Sequence, residues 1–141
     1  MKITADINVL VDVFQERQPH FAASAQVLSL VASGGIGGVF PAHGLTTLYY
    51  LVRKHDSKVG AEAALARIMG HFEIGNLDAK GWRDASNLAM DDFEDAVVAT
   101  VARTSGSDFI VTRNVDDFAN STVPAITPAD FLSRFAPAPP P

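Results

Sequence analysis

Short apolar runs alternate with longer amphipathic stretches along most of the chain. The runs are rich in β-branched and aromatic residues, which is typical of strands buried in a sheet. The longer stretches repeat apolar positions every three or four residues, as helices with one buried face do. The predicted strands cover residues 2–5, 37–40, 72–74, 109–111 and 123–126.

Helical periodicity follows four of the five predicted strands, the exception being the strand at 109–111. The last helix begins at Thr127, which is followed by Pro128 and Asp130, an order typical of a capped helix N-terminus. Strands that alternate with helices indicate a three-layer α/β fold around a mostly parallel sheet of four to five strands. The other predicted helices cover residues 9–14, 21–31, 45–54, 58–69, 78–90 and 93–103.

One domain is sufficient to hold these elements. The chain has 141 residues, a size at which a single hydrophobic core forms without crosslinks. We assign residues 1–135 to this domain. Residues 136–141 alternate alanine with proline and end in three prolines, so we expect an extended, disordered tail there.

Composition narrows the class of protein. The chain contains no cysteine, which excludes disulfides and thiolate metal sites and fits a reducing compartment. Asp6 and Asp12 interrupt the apolar N-terminal run, and no later run is long enough to cross a bilayer. We therefore expect a soluble, cytoplasmic protein. Its net charge of -5 argues against strong non-specific binding to nucleic acid through lysine and arginine.

Acidic and amide side chains follow two of the predicted strands. Asp6 ends the first strand, and Asn114, Asp116 and Asp117 follow the strand at 109–111. In a parallel sheet, the carboxyl ends of the strands meet at one edge, where α/β proteins bind their ligands. We expect these side chains to lie on the same side of the molecule.

A third group of acids stands at the start of the helix at 93–103. Asp95 shares a helical face with three alanines, which would let the helix approach the sheet and bring this carboxylate to its edge. Asp91 and Glu94 are expected to serve the helix N-terminus and solvent, as acids there commonly do. Asp92 fits a helix cap and a metal ligand equally well.

Carboxylates gathered at one edge repel one another unless a cation neutralises them. Oxygen ligands without cysteine suit a hard divalent ion, so we expect Mg²⁺ or Mn²⁺. Such an ion can assist the attack of water on a phosphodiester.

Five segments, taken in order, resemble the PIN-domain family: residues 6–12, 48–54, 92–96, 111–118 and 127–132. The resemblance covers nearly the whole chain and implies a Rossmann-like, PIN-like domain with a metal-dependent ribonuclease site. Many small bacterial members are VapC-like toxins of toxin–antitoxin pairs, and they commonly dimerise. The resemblance therefore implies an RNA substrate, a small antitoxin partner, a homodimer and no membrane association.

The resemblance also assigns site residues. Asp6 matches the first metal-binding acid of the family and Asp95 the acid at the start of the penultimate long helix. The further acid that the family has after its fourth strand corresponds either to Asp117 or to Asn114, which carries an amide instead of a carboxylate. We predict that these four residues bind the metal, together with Asp92, and that Asp6, Asp95 and Asp117 are catalytic.

Three neighbouring residues are predicted to support this site. Thr112 and Arg113 lie between the assigned acids and the end of the preceding strand, and we predict that both bind the RNA substrate. Asn8 is expected to hold the Asp6 loop by hydrogen bonds rather than to bind metal.

Aromatic and basic side chains outside these segments leave two interpretations open. Tyr50 and Trp82 could stack on bases, although packing along helices is the more common use of such residues. Arg53 and Lys54 could contact phosphates or simply face solvent. His43 follows a strand and could reach the site edge, but a loop histidine without catalytic function is the more common case.

Thr47 is the main departure from the family pattern, because a glutamate is usual there. This loss of an acid leaves open a catalytically weak or inactive PIN-fold protein with a binding or regulatory function. An aspartate phosphotransfer protein is a third class, but the residues disfavour it. Gly75 and Asn76 follow the strand at 72–74 where a phosphoacceptor aspartate would stand, and Asn8 replaces the second acid of an Asp-x-Asp motif.

Overall fold

A computed structural model describes residues 1–137 of the chain. All five predicted strands are present, and their bounds differ from the prediction by at most two residues. Residues 138–141 of the predicted tail lie outside the described residues. The strands are β1 (Lys2–Ala5), β2 (Gly37–Pro41), β3 (Glu73–Gly75), β4 (Phe109–Val111) and β5 (Ala125–Ile126).

The strands form one parallel sheet in the order β3-β2-β1-β4-β5. β1 lies at the centre, where Ile3 is opposite Gly38 on one side and Phe109 on the other. Because every pair is parallel, all five strands end at the same edge of the sheet. The predicted α/β class is confirmed, and the strands that precede Asp6 and Thr112 are direct neighbours.

Seven α-helices connect the strands in the described part of the chain. One prediction was wrong: the helix expected over 78–90 ends at Ser86. Beyond it, Leu88 and Met90 both pack against the buried face of α6 (Phe93–Thr104). In a helix, two residues that are two positions apart would point to different sides and could not both do so. The helices are α1 (Ile7–Phe14), α2 (Phe21–Ala32), α3 (Gly44–His55), α4 (Lys58–His71), α5 (Ala79–Ser86), α6 (Phe93–Thr104) and α7 (Pro128–Phe135).

The helices cover both faces of the sheet, which confirms the three layers. Alternate residues of each strand point to opposite faces. Ile3 and Phe40 join the larger core, beneath α1 to α4 and α7. Val39 and Ile110 face the other way and pack beneath α5 and α6. None of the helices described in residues 1–137 is long and apolar enough to cross a membrane.

Small side chains let α6 lie close to the centre of the sheet. Ala96, Ala99 and Ala102 are buried there, as the sequence predicts. Val97 and Val101, expected on a different face, are buried as well, because α5 covers that side of the helix. The buried helix thus begins at the edge of the sheet where β1 and β4 end.

Candidate functional site

Asp6 lies at the end of β1, and its buried carboxylate accepts three hydrogen bonds. Its backbone N–H donates to Val111 O at 2.9 Å, which ties the end of β1 to β4. Oδ1 accepts the N–H of Ile7 at 2.8 Å and so caps α1. Oδ2 accepts Thr112 Oγ1 at 2.8 Å and Asn8 Nδ2 at 3.2 Å. The orientation of this carboxylate is therefore fixed, and Asn8 donates one of the hydrogen bonds that fix it.

Thr112 positions Asp6 from the neighbouring strand. Its side chain is completely buried, and its hydroxyl oxygen also accepts the N–H of Asn114 at 3.0 Å. The sequence predicts a substrate contact for Thr112, but a buried hydroxyl with two protein partners has no surface to offer a substrate. Thr112 instead links the Asn114 loop to the Asp6 carboxylate.

Asp95 reaches the same place from the first turn of α6. Asp92 caps this helix, since its Oδ1 accepts the backbone N–H of Asp95 at 3.1 Å. The Asp95 side chain is half-buried, whereas Asp92 and Glu94 are exposed. The cap fixes the turn that carries Asp95, and its helical position turns the carboxylate toward Asp6.

The electrostatics show that these carboxylates share one environment. Burial raises the pKa of Asp95 to about 7, and the negative charges of Asp6, Asp92, Asp117 and Glu94 contribute in that order. At neutral pH, Asp95 therefore lies near the midpoint of its titration in the absence of a cation.

Asp6 and Glu94 are shifted in the same direction. Burial raises the pKa of Asp6, while hydrogen bonds from Thr112 and Ile7 and the charge of Arg113 partly oppose this effect. Burial and the charges of Asp6 and Asp92 also raise the pKa of Glu94. Mutual repulsion of this kind favours binding of a cation among the carboxylates.

A cleft of about 360 Å³ brings most of the predicted site residues together. It contains the three carboxylates predicted to be catalytic, and also Asn8, Asp92 and Asn114. Asp116 and Asp91 border a second cavity beside it instead. The residues lining the cleft are Asp6, Ile7, Asn8, Val11, Arg17, Thr47, Leu51, Asp92, Glu94, Asp95, Asn114 and Asp117.

Thr47 lines this cleft from α3, opposite the acids. Its side chain is exposed, so a longer residue at this position would extend into the cleft. Gly44 allows α3 to begin close to α1, since a Cβ there would lie 2.7 Å from Ile7 Cγ1. Thr47, which stands where the family usually has a glutamate, therefore lines the same cleft as Asp6.

Arg113 lies outside the cleft and pairs with a buried acid. Its Nε is 2.7 Å from Oδ2 of Asp12, whose side chain is completely buried in α1. Burial raises the pKa of Asp12, while the charges of Arg113, His20 and Arg17 oppose the shift. The pair joins α1 to the loop after β4. Substrate binding by Arg113 stays a prediction.

Sequence reasoning missed two residues of the cleft. Glu94 is exposed, as expected, but it also lines the cleft, where burial and the charge of Asp6 raise its pKa. Arg17 is the cation among the cleft residues, and it follows α1 in a loop that no motif singles out. The only sequence signal for Glu94 was its position between Phe93 and Asp95 in the segment that resembles the PIN-domain family.

The cleft offers oxygen ligands suited to a hard divalent ion. Within residues 1–137, however, no three acidic or histidine side chains already stand close enough to hold a metal together. Mg²⁺ commonly takes one or two carboxylates and completes its shell with water and phosphate oxygens. Asp6 and Asp95 fit that requirement, and Asp117, Asp92 and Asn114 stand at the same cleft.

Comparison with known proteins agrees with this fold. A family model described as a PIN domain matches residues 2–116. Ribonuclease VapC1 from Aquifex aeolicus (strain VF5) is 24% identical over 139 residues, which cover 95% of this chain and 95% of the relative.

Three solved structures share the architecture. VapBC2 from Rickettsia felis, bound to a DNA fragment from its promoter, has a TM-score of 0.70 at 18% identity and covers 90% of this chain and 98% of its own. The sarcin–ricin loop cleaving toxin VapC20 from Mycobacterium tuberculosis has a TM-score of 0.66 at 18% identity, and the match covers 83% of this chain and 93% of the toxin chain. FitAcB from Neisseria gonorrhoeae has a TM-score of 0.63 at 15% identity, and the match covers 90% of this chain and 98% of the matched chain. Because the PIN-domain model matches most of its length, this chain belongs to the PIN-domain family.

Proposed function

We propose that this protein is an endoribonuclease that requires Mg²⁺ or Mn²⁺. The observation that carries the proposal is that Asp6, Asp95 and Asp117 line one cleft, where burial and then the charges of the neighbouring acids raise the pKa of Asp95 to about 7. Five carboxylates in one cleft at the carboxyl edge of a parallel sheet are poorly suited to bind an RNA phosphate directly. They are well suited to hold the cation that binds it.

Asp6, Asp95 and Asp117 would hold the metal, with Asp92 and Asn114 as further candidates at the cleft. When bound, the ion supplies positive charge that activates water and stabilises negative charge on the phosphate. Thr112 and Asn8 keep the Asp6 carboxylate in one orientation. Arg17 offers the phosphate a direct charged contact at the far side of the cleft.

The proposed biological role is that of a toxin in a toxin–antitoxin pair. Support comes from the VapC ribonuclease, the sarcin–ricin loop cleaving toxin and the VapBC2 complex to which the chain is similar. A small antitoxin would then cover the cleft, and the protein would form a homodimer. Expression of the chain alone should arrest cell growth, and co-expression of the small protein from the adjacent gene should restore it.

Metal-dependent cleavage of RNA by the purified protein tests the enzymatic proposal. Wild-type protein should cleave in Mn²⁺ and stop in EDTA, and Asp6→Asn should be inactive. Asp91→Asn is the matched control, because Asp91 is exposed and does not line the cleft. Intact RNA after incubation with wild-type protein in Mn²⁺, together with unaffected growth of expressing cells, would contradict the proposal.

A catalytically weak or inactive binding protein is the second candidate. The observation in its favour is Thr47, which supplies no carboxylate to the cleft. Calorimetry separates the two functions, since a binding protein would take up Mn²⁺ or RNA without turnover. Recovery of cleavage in Thr47→Glu, with wild type inactive, would identify a PIN domain that lost its activity at this position.

A further inference from the structure

We propose that Trp82 and Phe93 form a stacking subsite for an unpaired base of the RNA, beside the acidic cleft. The inference rests on the proposed ribonuclease function and extends it to the recognition of single-stranded RNA. Aromatic rings bind unpaired bases of any sequence, because every base has a π-face.

The two rings form a continuous aromatic surface. Trp82 on α5 and Phe93 at the start of α6 have ring centroids 6.2 Å apart and planes tilted by 37°. The ring of His43, the residue before α3, packs edge-on against Trp82, and the two ring centroids are 6.5 Å apart. Burial lowers the pKa of His43, so this supporting ring is neutral at physiological pH. The surface is held by three elements of the fold.

Both rings are unusually exposed for their size. Trp82 is 41% exposed and Phe93 53% exposed, whereas Phe40 and Phe131 are completely buried in the core. Packing between α5 and α6 buries only part of either ring. The exposed remainder is an apolar surface that the described residues do not cover.

The position of Phe93 connects this surface to the cleft. Phe93 stands in the first turn of α6 between Asp92 and Glu94, both of which line the cleft, and two residues before Asp95. A nucleotide whose phosphate lies at the carboxylates could therefore place its base, or that of an adjacent nucleotide, on the aromatic surface.

Charge favours a base as the occupant. The chain carries a net charge of -5 and the cleft contains one arginine among several acids, so phosphate contacts alone supply little affinity. Stacking contributes affinity that does not depend on phosphate neutralisation. The subsite thus explains how an acidic protein could retain RNA.

Fluorescence tests the subsite directly, because Trp82 is the only tryptophan of the chain. Wild-type protein is titrated in EDTA with a single-stranded oligoribonucleotide, so that binding is measured without cleavage. We expect saturable quenching of Trp82 that persists at raised salt. Phe93→Ala should weaken binding by about tenfold and Phe93→Tyr should restore it. Met69→Ala, at an exposed apolar residue of α4 that does not line the cleft, should bind like wild type.

The outcomes separate this subsite from the proposed enzyme activity. Quenching without cleavage in Mn²⁺ would remove the ribonuclease proposal and leave the RNA subsite in place. Cleavage with no quenching, and with an unchanged KM in Phe93→Ala, would overturn the subsite alone. A Trp82 signal that changes with protein concentration instead of RNA, together with a loss of dimerisation in Phe93→Ala, would assign the surface to a protein interface and also overturn the subsite.

Discussion

Replacing Asp95 with asparagine should stabilise the metal-free protein. Its carboxylate has a pKa of about 7 in the folded state against an ordinary value of 3.8, because it is buried among other acids. Ionising it therefore costs free energy in the folded state that the unfolded chain does not incur. Asparagine has a similar shape and carries no charge. The backbone hydrogen bond from Asp95 to Asp92 Oδ1 does not depend on the side chain and should survive the change.

The expected gain in folding free energy follows from the pKa shift of Asp95. A displacement of about three pKa units corresponds to about 4 kcal/mol, and the partial exposure of Asp95 reduces this to about 2 kcal/mol through solvent screening. Losing a negative charge from the first turn of α6 costs about 0.5 kcal/mol. The expected net gain is about 1.5 kcal/mol above neutral pH, or a rise in Tm of about 4 °C for a domain of this size.

The raised pKa of Asp95 also determines how the stability difference between the two proteins changes with pH. Between about pH 4 and pH 7 the folded wild type binds a proton at Asp95 that the unfolded chain has lost, so wild-type stability falls as pH rises through this window. Asp95→Asn lacks that titration. Its advantage should grow from about pH 4, reach its full size near pH 7 and stay constant above it.

Thermal unfolding in EDTA across this pH range is the assay, with Asp91→Asn as control. Asp91 is exposed and is not among the charges that raise the Asp95 pKa, so this control should stay within about 0.5 kcal/mol of wild type. Adding Mn²⁺ should reverse the order, since only the wild type would gain binding energy from the complete set of carboxylates. A metal-free Asp95→Asn protein no more stable than wild type at any pH would refute the proposed carboxylate repulsion.

Three further substitutions test other parts of the site. Thr47→Glu should tighten Mn²⁺ binding in calorimetry and increase RNA cleavage, and unchanged affinity would show that this position does not serve the metal. Thr112→Val keeps the buried shape but removes the hydroxyl that donates to Asp6. It should lower stability by about 1–3 kcal/mol in denaturant unfolding and reduce cleavage. Arg113→Ala should cost about 3 kcal/mol by leaving Asp12 buried without its partner, and the double variant with Asp12→Asn should recover most of the loss. A loss of RNA binding without a loss of stability would instead support the predicted substrate contact of Arg113.

The sequence was sufficient to predict most of the fold. Strands such as 2–5 and 109–111 are short, apolar and flanked by polar residues, so local pattern identifies them without knowledge of their partners. Because parallel strands share one carboxyl edge, the same pattern also places Asp6 and Asp117 together. The alanine spacing after Asp95 correctly indicated which face of α6 approaches the sheet.

Features that depend on distant contacts could not be predicted in this way. The pairing of Asp12 with Arg113 joins residues about a hundred positions apart, and neither residue has a local pattern that indicates the other. The end of α5 at Ser86 is set by the packing of later residues against α6 rather than by a helix-breaking residue. The proximity of Trp82 and Phe93 likewise arises from the angle at which two helices meet, which periodicity does not specify.

The rate of RNA cleavage as a function of Mn²⁺ concentration tests the central claim most directly. Wild type and Asp91→Asn should cleave with the same dependence on Mn²⁺. Asp6→Asn, Asp95→Asn and Asp117→Asn should each lose about 100-fold in rate or metal affinity, because all three carboxylates would serve one ion. Cleavage that proceeds equally in EDTA, or that survives in Asp6→Asn, would contradict a single metal-dependent site at the carboxyl edge of the sheet.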